Sequence, residues 1–271
     1  TARHLLRLQA ALAPAPFVSG AGLMRELRIV KHPDEVDRLA LAAAAADRDA
    51  MHRAGELTPD VHRAMVEANL FRAAGPRALG GEECGLAEGT EIARILGRAD
   101  LSVGWLFVQA GATMHNFGPR LDTETGAEVY PGPASVVAAG FPDGETRAEV
   151  VEGGYVVSGR WNFASGCLHA DWFDARAVVH DGDTRVTTRN GLFSLLSCLV
   201  PRDAVTIEDT WDVAGMRATG SRTYTTEGTF VPARRAIPMW AMAEAGPAAF
   251  RVPAITSAHV QFAGLALGGA E

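Results

Sequence analysis

At 271 residues, 48% of them hydrophobic, the chain holds enough apolar material for a substantial core and fits two modest domains better than one large one. A formal net charge of -7 and the lack of any Lys/Arg block exclude a phosphate-tracking surface, so nucleic acid is not an expected partner. The apolar run Ala40 to Ala46 falls far short of the ~20 residues of a membrane span, and the start at Thr1 lacks a secretory pattern, so a cytoplasmic protein, in the form of a fragment, is expected.

The first predicted element is a helix over Pro33 to Ala54, free of interior Pro or Gly, with Asp34 and Glu35 in its first turn and Val36, Leu39 and Ala43 at helical spacing. A second helix is expected from Pro59 to Leu70, with Val61 and Met65 facing inward. Gly75 and Pro76 break the chain, and after the loop PRALGGEECG helices return over Ala87 to about Gly97 and Leu101 to about Met114. From Ala134 the character changes to short β-branched runs, beginning with ASVVAAG and continuing into a hairpin around Gly153-Gly154. Strand signals follow at WFDARAVVH, FSLLSCLVP, AVTIEDTWD and RTYTTEGTFVP, and their spacing predicts an antiparallel barrel or sandwich. A last apolar stretch, Ile255 to Leu267, reads as a helix. The expected fold class is therefore α+β, helices first and an antiparallel β domain second.

The densest chemistry lies in GRWNFASGCLHADW, residues 159 to 172. Trp161 and Phe163 alternate with Asn162, so one strand face can present both rings to a flat ligand while Ser165 meets its polar edge. The competing reading is a strand whose aromatics fill a β core. In WDVAGMRATGSRTY, residues 211 to 224, Gly215, Gly220 and Ser221 permit close backbone approach, and Arg217 and Arg222 suit phosphate or carboxylate, against the alternative of a turn with two solvated arginines. His115 and His169 are possible general bases, each with a structural alternative. Cys84, Cys167 and Cys198 show no metal-ligand spacing and are expected to be reduced and structural, and no metal site is expected. No serine sits in a GxSxG elbow, and no glycine fingerprint follows a strand as a dinucleotide fold requires.

Residues 57 to 270 resemble the acyl-CoA dehydrogenase superfamily, especially its branch of flavin-dependent monooxygenase oxygenase components. The resemblance is carried by NLFRAAGPRALGGEE at 69 to 83, ADLSVGW at 99 to 105, SGRWNFASGCLHADW at 158 to 172 and WDVAGMRATGSRTYTTEGTFVPARRA at 211 to 236. It implies a helical domain over 33–133, a β middle domain over 134–245 that faces FAD or FMN, and the start of a C-terminal helical bundle over 246–271. It further implies that Trp161, Phe163, Ala164 and Ser165 line the flavin, with Ser165 or its neighbour near the N5 edge, and that Trp105 borders the pocket. Arg217 and Ser221 remain substrate or phosphate candidates. The implied activity is flavin oxidoreduction or monooxygenation of a small molecule, with a flavin reductase as partner and a homo-oligomer as the intact form.

Three features depart from that pattern. AAGFPDGETRAEV, residues 138 to 150, lacks the TEPxAGSD run of acyl-CoA dehydrogenases, which argues against a CoA thioester substrate. The family's catalytic Glu or His would fall in a helical domain of which only the first helix is represented, leaving His115 as the one weak catalytic candidate here, and Ile255 to Leu267 is expected to lack most of its packing partners. Residues 22 to 50 resemble instead the domain junction of creatinase/Xaa-Pro aminopeptidase metallopeptidases, with LRIVKHPDE as the telling piece, so 1–32 is expected to be a fused or remnant segment.

Overall fold

The computed structural model describes residues 48–239 and 248–271. The expected helix from Pro33 lies outside the described residues except for its end, α1 (Arg48–Ala54). Five further helices are α2 (Pro59–Glu67), α3 (Leu86–Ala99), α4 (Leu101–Phe117), α5 (Thr123–Val129) and α6 (Ala254–Ala270). Helix α2 starts where Pro59 pre-sets φ and stops short of Leu70, because Asn69 turns left-handed at φ 56. The Asn69 amide fixes that turn by donating to Gly80 O at 3.0 Å and Glu82 Oε1 at 3.1 Å.

Helix α4 is the central helix, buried over most of its length from Ser102 to Phe117. Asp100 caps it, its carboxylate accepting from Ser102 N at 2.8 Å and Val103 N at 3.2 Å. Helix α5 was not expected from periodicity; it exists because Asp122 caps a short turn, accepting from Thr125 N at 2.7 Å. Helix α6 returns to the N-terminal helices and packs on α3 and α4. A Cβ at Gly264 would meet Thr90 O at 2.3 Å, and one at Gly268 would meet Arg94 O at 1.9 Å, so these glycines set the α3–α6 approach. The buried face of α6 carries Ser257, Ala258, Gln261 and Leu265, whereas Ile255, Val260 and Leu267 stand exposed on the other. The helix is thus packed on one face and exposed on the other.

Among the described residues ten strands form one sheet: β1 (Val137–Ala139), β2 (Phe141–Pro142), β3 (Arg147–Val151), β4 (Gly154–Ala164), β5 (Trp172–Asp181), β6 (Thr184–Arg185), β7 (Leu195–Pro201), β8 (Thr206–Glu208), β9 (Arg222–Pro232) and β10 (Ala236–Pro238). The main path runs β10-β7-β5-β3-β4-β9-β8. The expectation of a purely antiparallel arrangement is corrected by two pairings, since β1 and β3 both run parallel to β5. The reason is topological. Strand β4 returns antiparallel beside β3, and the turn after it carries the chain to the far side of β3, where β5 must run in β3's direction. The β3–β4 hairpin closes through Glu152 and Gly153 rather than Gly153-Gly154: Val151 pairs with Gly154, and Gly153 takes φ 80.

One continuous apolar core runs from Met51, Leu70 and Leu96 through Val103 and Phe107 of α4 to Trp161, Phe173 and Tyr224 of the sheet. Helix α4 thus lies against the sheet at the place where β4 ends, and this fixes the position of the 163–169 turn.

Candidate functional site

Strand β4 is not regular at its end. Trp161 pairs with Tyr224, but the next pair is Ala164 with Arg222, so β4 spends three steps where β9 spends two. This bulge holds Phe163 in left-handed backbone at φ 59, a conformation unfavourable for a bulky residue. It also breaks the alternation that put Trp161 and Phe163 on one face. Trp161 is 0% exposed, stacked on Tyr224 at 5.0 Å, and donates Nε1–H to Arg176 O at 2.9 Å. Phe163 is 56% exposed. The expectation that the Trp161 ring lines the ligand is therefore corrected: it is a core residue. Ala164 is likewise fully buried and offers a ligand no side-chain surface.

Phe163 forms one wall of an open groove of about 260 Å³, lined also by Arg160, Asn162, Thr210, Trp211, Ser221 and Thr223. Trp211 meets Phe163 edge-on at 6.3 Å, and its Nε1–H is held by Arg217 O at 3.0 Å. The floor is polar and internally bonded: Thr223 Oγ1 donates to Asn162 Oδ1 at 2.8 Å, and Thr210 Oγ1 donates to Thr223 Oγ1 at 2.8 Å. Arg160 is bound by Glu208 at 2.7 Å and by Asp143, and these partners hold its pKa above the ordinary guanidinium value.

Behind the groove, Ser165 Oγ accepts from Trp105 Nε1–H at 2.9 Å and lies 2.7 Å from Ser221 Oγ, which lies 2.7 Å from Thr219 Oγ1. Trp105 is stacked on Phe262 of α6 at 4.4 Å, so α4, α6 and both β motifs converge on this one hydroxyl. The turn is pinned further by Gly166 N–H to Thr219 O at 2.9 Å and by Arg202 to Cys167 O at 2.6 Å.

Ser165 also lines a second, smaller cavity of about 10 Å³, the size of one water molecule, together with Leu57, Phe71, Leu106, Ala110, Val136, Val137, Gly166 and His169. His169 stacks on His62 at 4.7 Å, and both Nε2 atoms are buried with no hydrogen-bond partner among the described residues. Burial is the main cause that lowers both pKa values; the His169 value falls to about 4, helped by His62 and by Arg202. Both rings are neutral at pH 7.

Of the other expected site residues, His115 lies in neither cavity: it is buried against Phe250, and its Nε2 is 2.8 Å from Val252 O, so it latches the segment before α6. Burial lowers its pKa as well. Arg217 lies outside the lining of both cavities and is engaged by protein acceptors, donating to His52 O at 2.9 Å, Val213 O at 2.8 Å and Asp212 at 3.2 Å. Trp105, Phe163, Ser165 and Ser221 are brought together; Trp161, Ala164, His115 and Arg217 serve the scaffold. Sequence reasoning missed Asn162, Thr210, Trp211, Thr219, Thr223 and His62. Trp211 had a usable signal, an aromatic residue four positions before Gly215, but the arginines of that motif drew the functional reading. Among the described residues no cluster of His, Cys, Asp or Glu could hold a metal ion, and no helix is long and apolar enough to cross a membrane.

The homologues of this chain are oxygenase subunits of flavin-dependent monooxygenases with an acyl-CoA dehydrogenase-like fold. The oxygenase subunit HsaA of Mycobacterium tuberculosis (strain ATCC 25618 / H37Rv) is 33% identical over 190 residues, 69% of this chain and 45% of that protein. Indole-3-acetate monooxygenase of Pseudomonas putida is 31% identical over 179 residues, 66% of this chain and 44% of that protein. The structure of XiaF from Streptomyces sp. in complex with FADH2 and glycerol matches at a TM-score of 0.75 and 28% identity, covering 87% of this chain and 59% of that one. The chain spans about half the length of the curated relatives it matches. No family model matches it. These relatives lend no support to the metallopeptidase resemblance, whose residues 22–47 lie outside the described residues.

Proposed function

We propose that this chain forms the flavin-facing part of the oxygenase subunit of a two-component monooxygenase, acting on a small aromatic compound with reduced FAD or FMN delivered by a separate reductase. The observation that carries the reading is the exposed Phe163, held in left-handed backbone on a bulge beside Trp211. A strained, solvent-facing aromatic wall over a polar floor suits a flat heteroaromatic ring that has carbonyl and N–H groups on its edges. The groove fits such a group in kind: Phe163 and Trp211 offer ring faces, and Asn162, Thr223 and Ser221 offer hydrogen bonds; by the resemblance, Ser165 just behind the groove would lie near the N5 edge. Bound reduced flavin would supply two electrons to dioxygen, one atom of which goes to the substrate.

In this reading residues 33–133 and 134–245 are the helical domain and the barrel-like β domain of the resemblance, with 246–271 opening the C-terminal bundle. The exposed Ile255, Val260 and Leu267 support assembly into a homo-oligomer. The names of the relatives, among them an indole-3-acetate monooxygenase, support an aromatic substrate. The test is an anaerobic titration of the protein with FADH2 and FMNH2, followed by absorbance and fluorescence. Saturable binding that weakens in Phe163→Ala supports the reading; no binding of either flavin overturns it.

A further inference from the structure

The floor of the groove is built from its rim inward. Arg160 is the fixed end: its guanidinium is held by Glu208 at 2.7 Å and by Asp143, and a guanidinium can only donate. Its Nη1 also reaches the Asn162 side-chain amide at 3.2 Å. That contact decides which way round the amide lies, because the flipped amide would set N–H against N–H. Asn162 Oδ1 therefore faces Arg160, and its second lone pair accepts from Thr223 Oγ1 at 2.8 Å. Thr223 Oγ1 has no other proton to give, so it accepts from Thr210 Oγ1, which in turn accepts the Thr223 N–H at 3.0 Å. Both threonine hydroxyl protons and both Oδ1 lone pairs are thus used within the floor.

One group is left over. Asn162 Nδ2 carries two N–H, meets no acceptor among the described residues, and stays open to solvent on a residue that lines the groove. A freely turning amide could offer a ligand either its N–H or its C=O; this one offers N–H alone. We propose that Asn162 is a specificity-determining residue whose amide, turned outward by Arg160, takes a ring carbonyl of the bound flavin. The inference rests on the flavin reading above and adds an orientation to it: the pyrimidine edge, which bears both carbonyls, faces Asn162, and the dimethylbenzene edge faces away. Phe163 and Trp211 offer aromatic area to the ring whatever its rotation, so they cannot select an edge. The Asn162 amide can, because an edge that presents only donors or only carbon leaves its N–H groups unmatched.

The decisive variant is Asn162→Asp. A carboxylate of the same shape keeps an acceptor for Arg160 and Thr223 and removes only the outward N–H groups. Dissociation constants for FMN and FAD are measured in wild type, Asn162→Asp, Asn162→Ala and Arg160→Leu, together with the carbonyl stretching bands of bound flavin isotopically labelled at one carbonyl or the other. Asn162→Ala is expected to bind about two- to tenfold more weakly, the range of one hydrogen bond. Asn162→Asp should bind more weakly still, since an anion then faces the carbonyl. One labelled band should lie at lower frequency in wild type and move to higher frequency in both variants. Arg160→Leu leaves Asn162 in place but frees its amide to turn, and the same band should move the same way. Weaker binding in Asn162→Asp with both bands unmoved would mean a merely structural residue and overturns the proposal. If wild type binds neither flavin, the flavin reading itself falls and takes this inference with it. Thermal denaturation identifies any variant that fails to fold, and the isosteric Asn162→Asp keeps the test decisive in that case.

Discussion

Trp161 and Phe163 stand two residues apart on one strand and face opposite sides of it, the first 0% and the second 56% exposed. The extra residue of the bulge between the Trp161–Tyr224 and Ala164–Arg222 pairs produces this inversion. The same bulge that buries one ring in the sheet core therefore delivers the other to the groove.

The two rings should then fail in different assays. Trp161→Ala is expected to lower the unfolding free energy by about 3 to 5 kcal/mol, the cost of emptying a large core site. Phe163→Ala is expected to leave stability within about 1 kcal/mol and to weaken flavin binding about three- to tenfold through loss of one aromatic contact. Denaturant titration and flavin titration of the two variants check this; a Phe163→Ala protein with unaltered flavin affinity would remove the groove from the site.

Backbone strain at Phe163 can be read separately from its ring. Left-handed backbone costs a non-glycine residue roughly 1 to 2 kcal/mol, so Phe163→Gly should be more stable than Phe163→Ala by about 1 kcal/mol. Both lack the ring, and their flavin affinities should agree.

The His62–His169 stack predicts acid sensitivity. In the folded chain His169 protonates only near pH 4, whereas the unfolded chain takes up that proton near the ordinary value of 6.5. Protons bound by the unfolded state alone stabilise it, so this contribution to stability is intact above about pH 6.5 and is lost as pH falls toward 4. The loss is at most about 3 kcal/mol. His62, also lowered by burial, acts in the same direction; Asp171, whose carboxyl burial raises, acts against it at the acid end. Comparing unfolding free energies of wild type and His169→Phe between pH 7 and pH 4 should show the variant with the shallower decline.

Much of the secondary structure was legible because local chemistry and final environment agree. Strand β9 matches the run RTYTTEGTFVP end to end, and β5 extends WFDARAVVH by one residue. The misses have physical causes. Asn69 ends α2 through tertiary bonds to Gly80 and Glu82, which periodicity cannot register. Period-2 reasoning assumes a regular strand, and the bulge at Phe163 violates it. The parallel neighbours of β5 depend on which side of β3 the chain crosses, information held in the 165–171 turn rather than in any strand. At the site, Ser165 and Ser221 were read from their motifs and Trp105 through the resemblance, while Thr219 was missed because it reaches the site only through its contact with the buried Ser221 hydroxyl.

The close approach of α3 and α6 gives a further expectation. Alanine favours a helix over glycine by roughly 1 kcal/mol, yet Gly264→Ala should destabilise the protein, since the added methyl would meet Thr90 O at 2.3 Å. Hydrogen exchange should show lost protection along α6 while the sheet amides stay protected. Unchanged protection in α6 would mean that the contact is not what holds the helix.

Arg94 of α3 reaches Glu271 at the end of α6 with a separation of 2.5 Å in space and 177 residues in sequence. Every strand of the sheet is therefore translated between the two halves of this clasp. At about 5 to 20 residues per second the ribosome would leave the apolar flank of α3 and α4 uncovered for roughly 10 to 35 seconds before its covering helix emerges. Strands of high contact order must pair during that wait. A nascent chain stalled just before Ala254 should consequently be a strong chaperone client, and release from the chaperone should coincide with the exit of α6 from the tunnel.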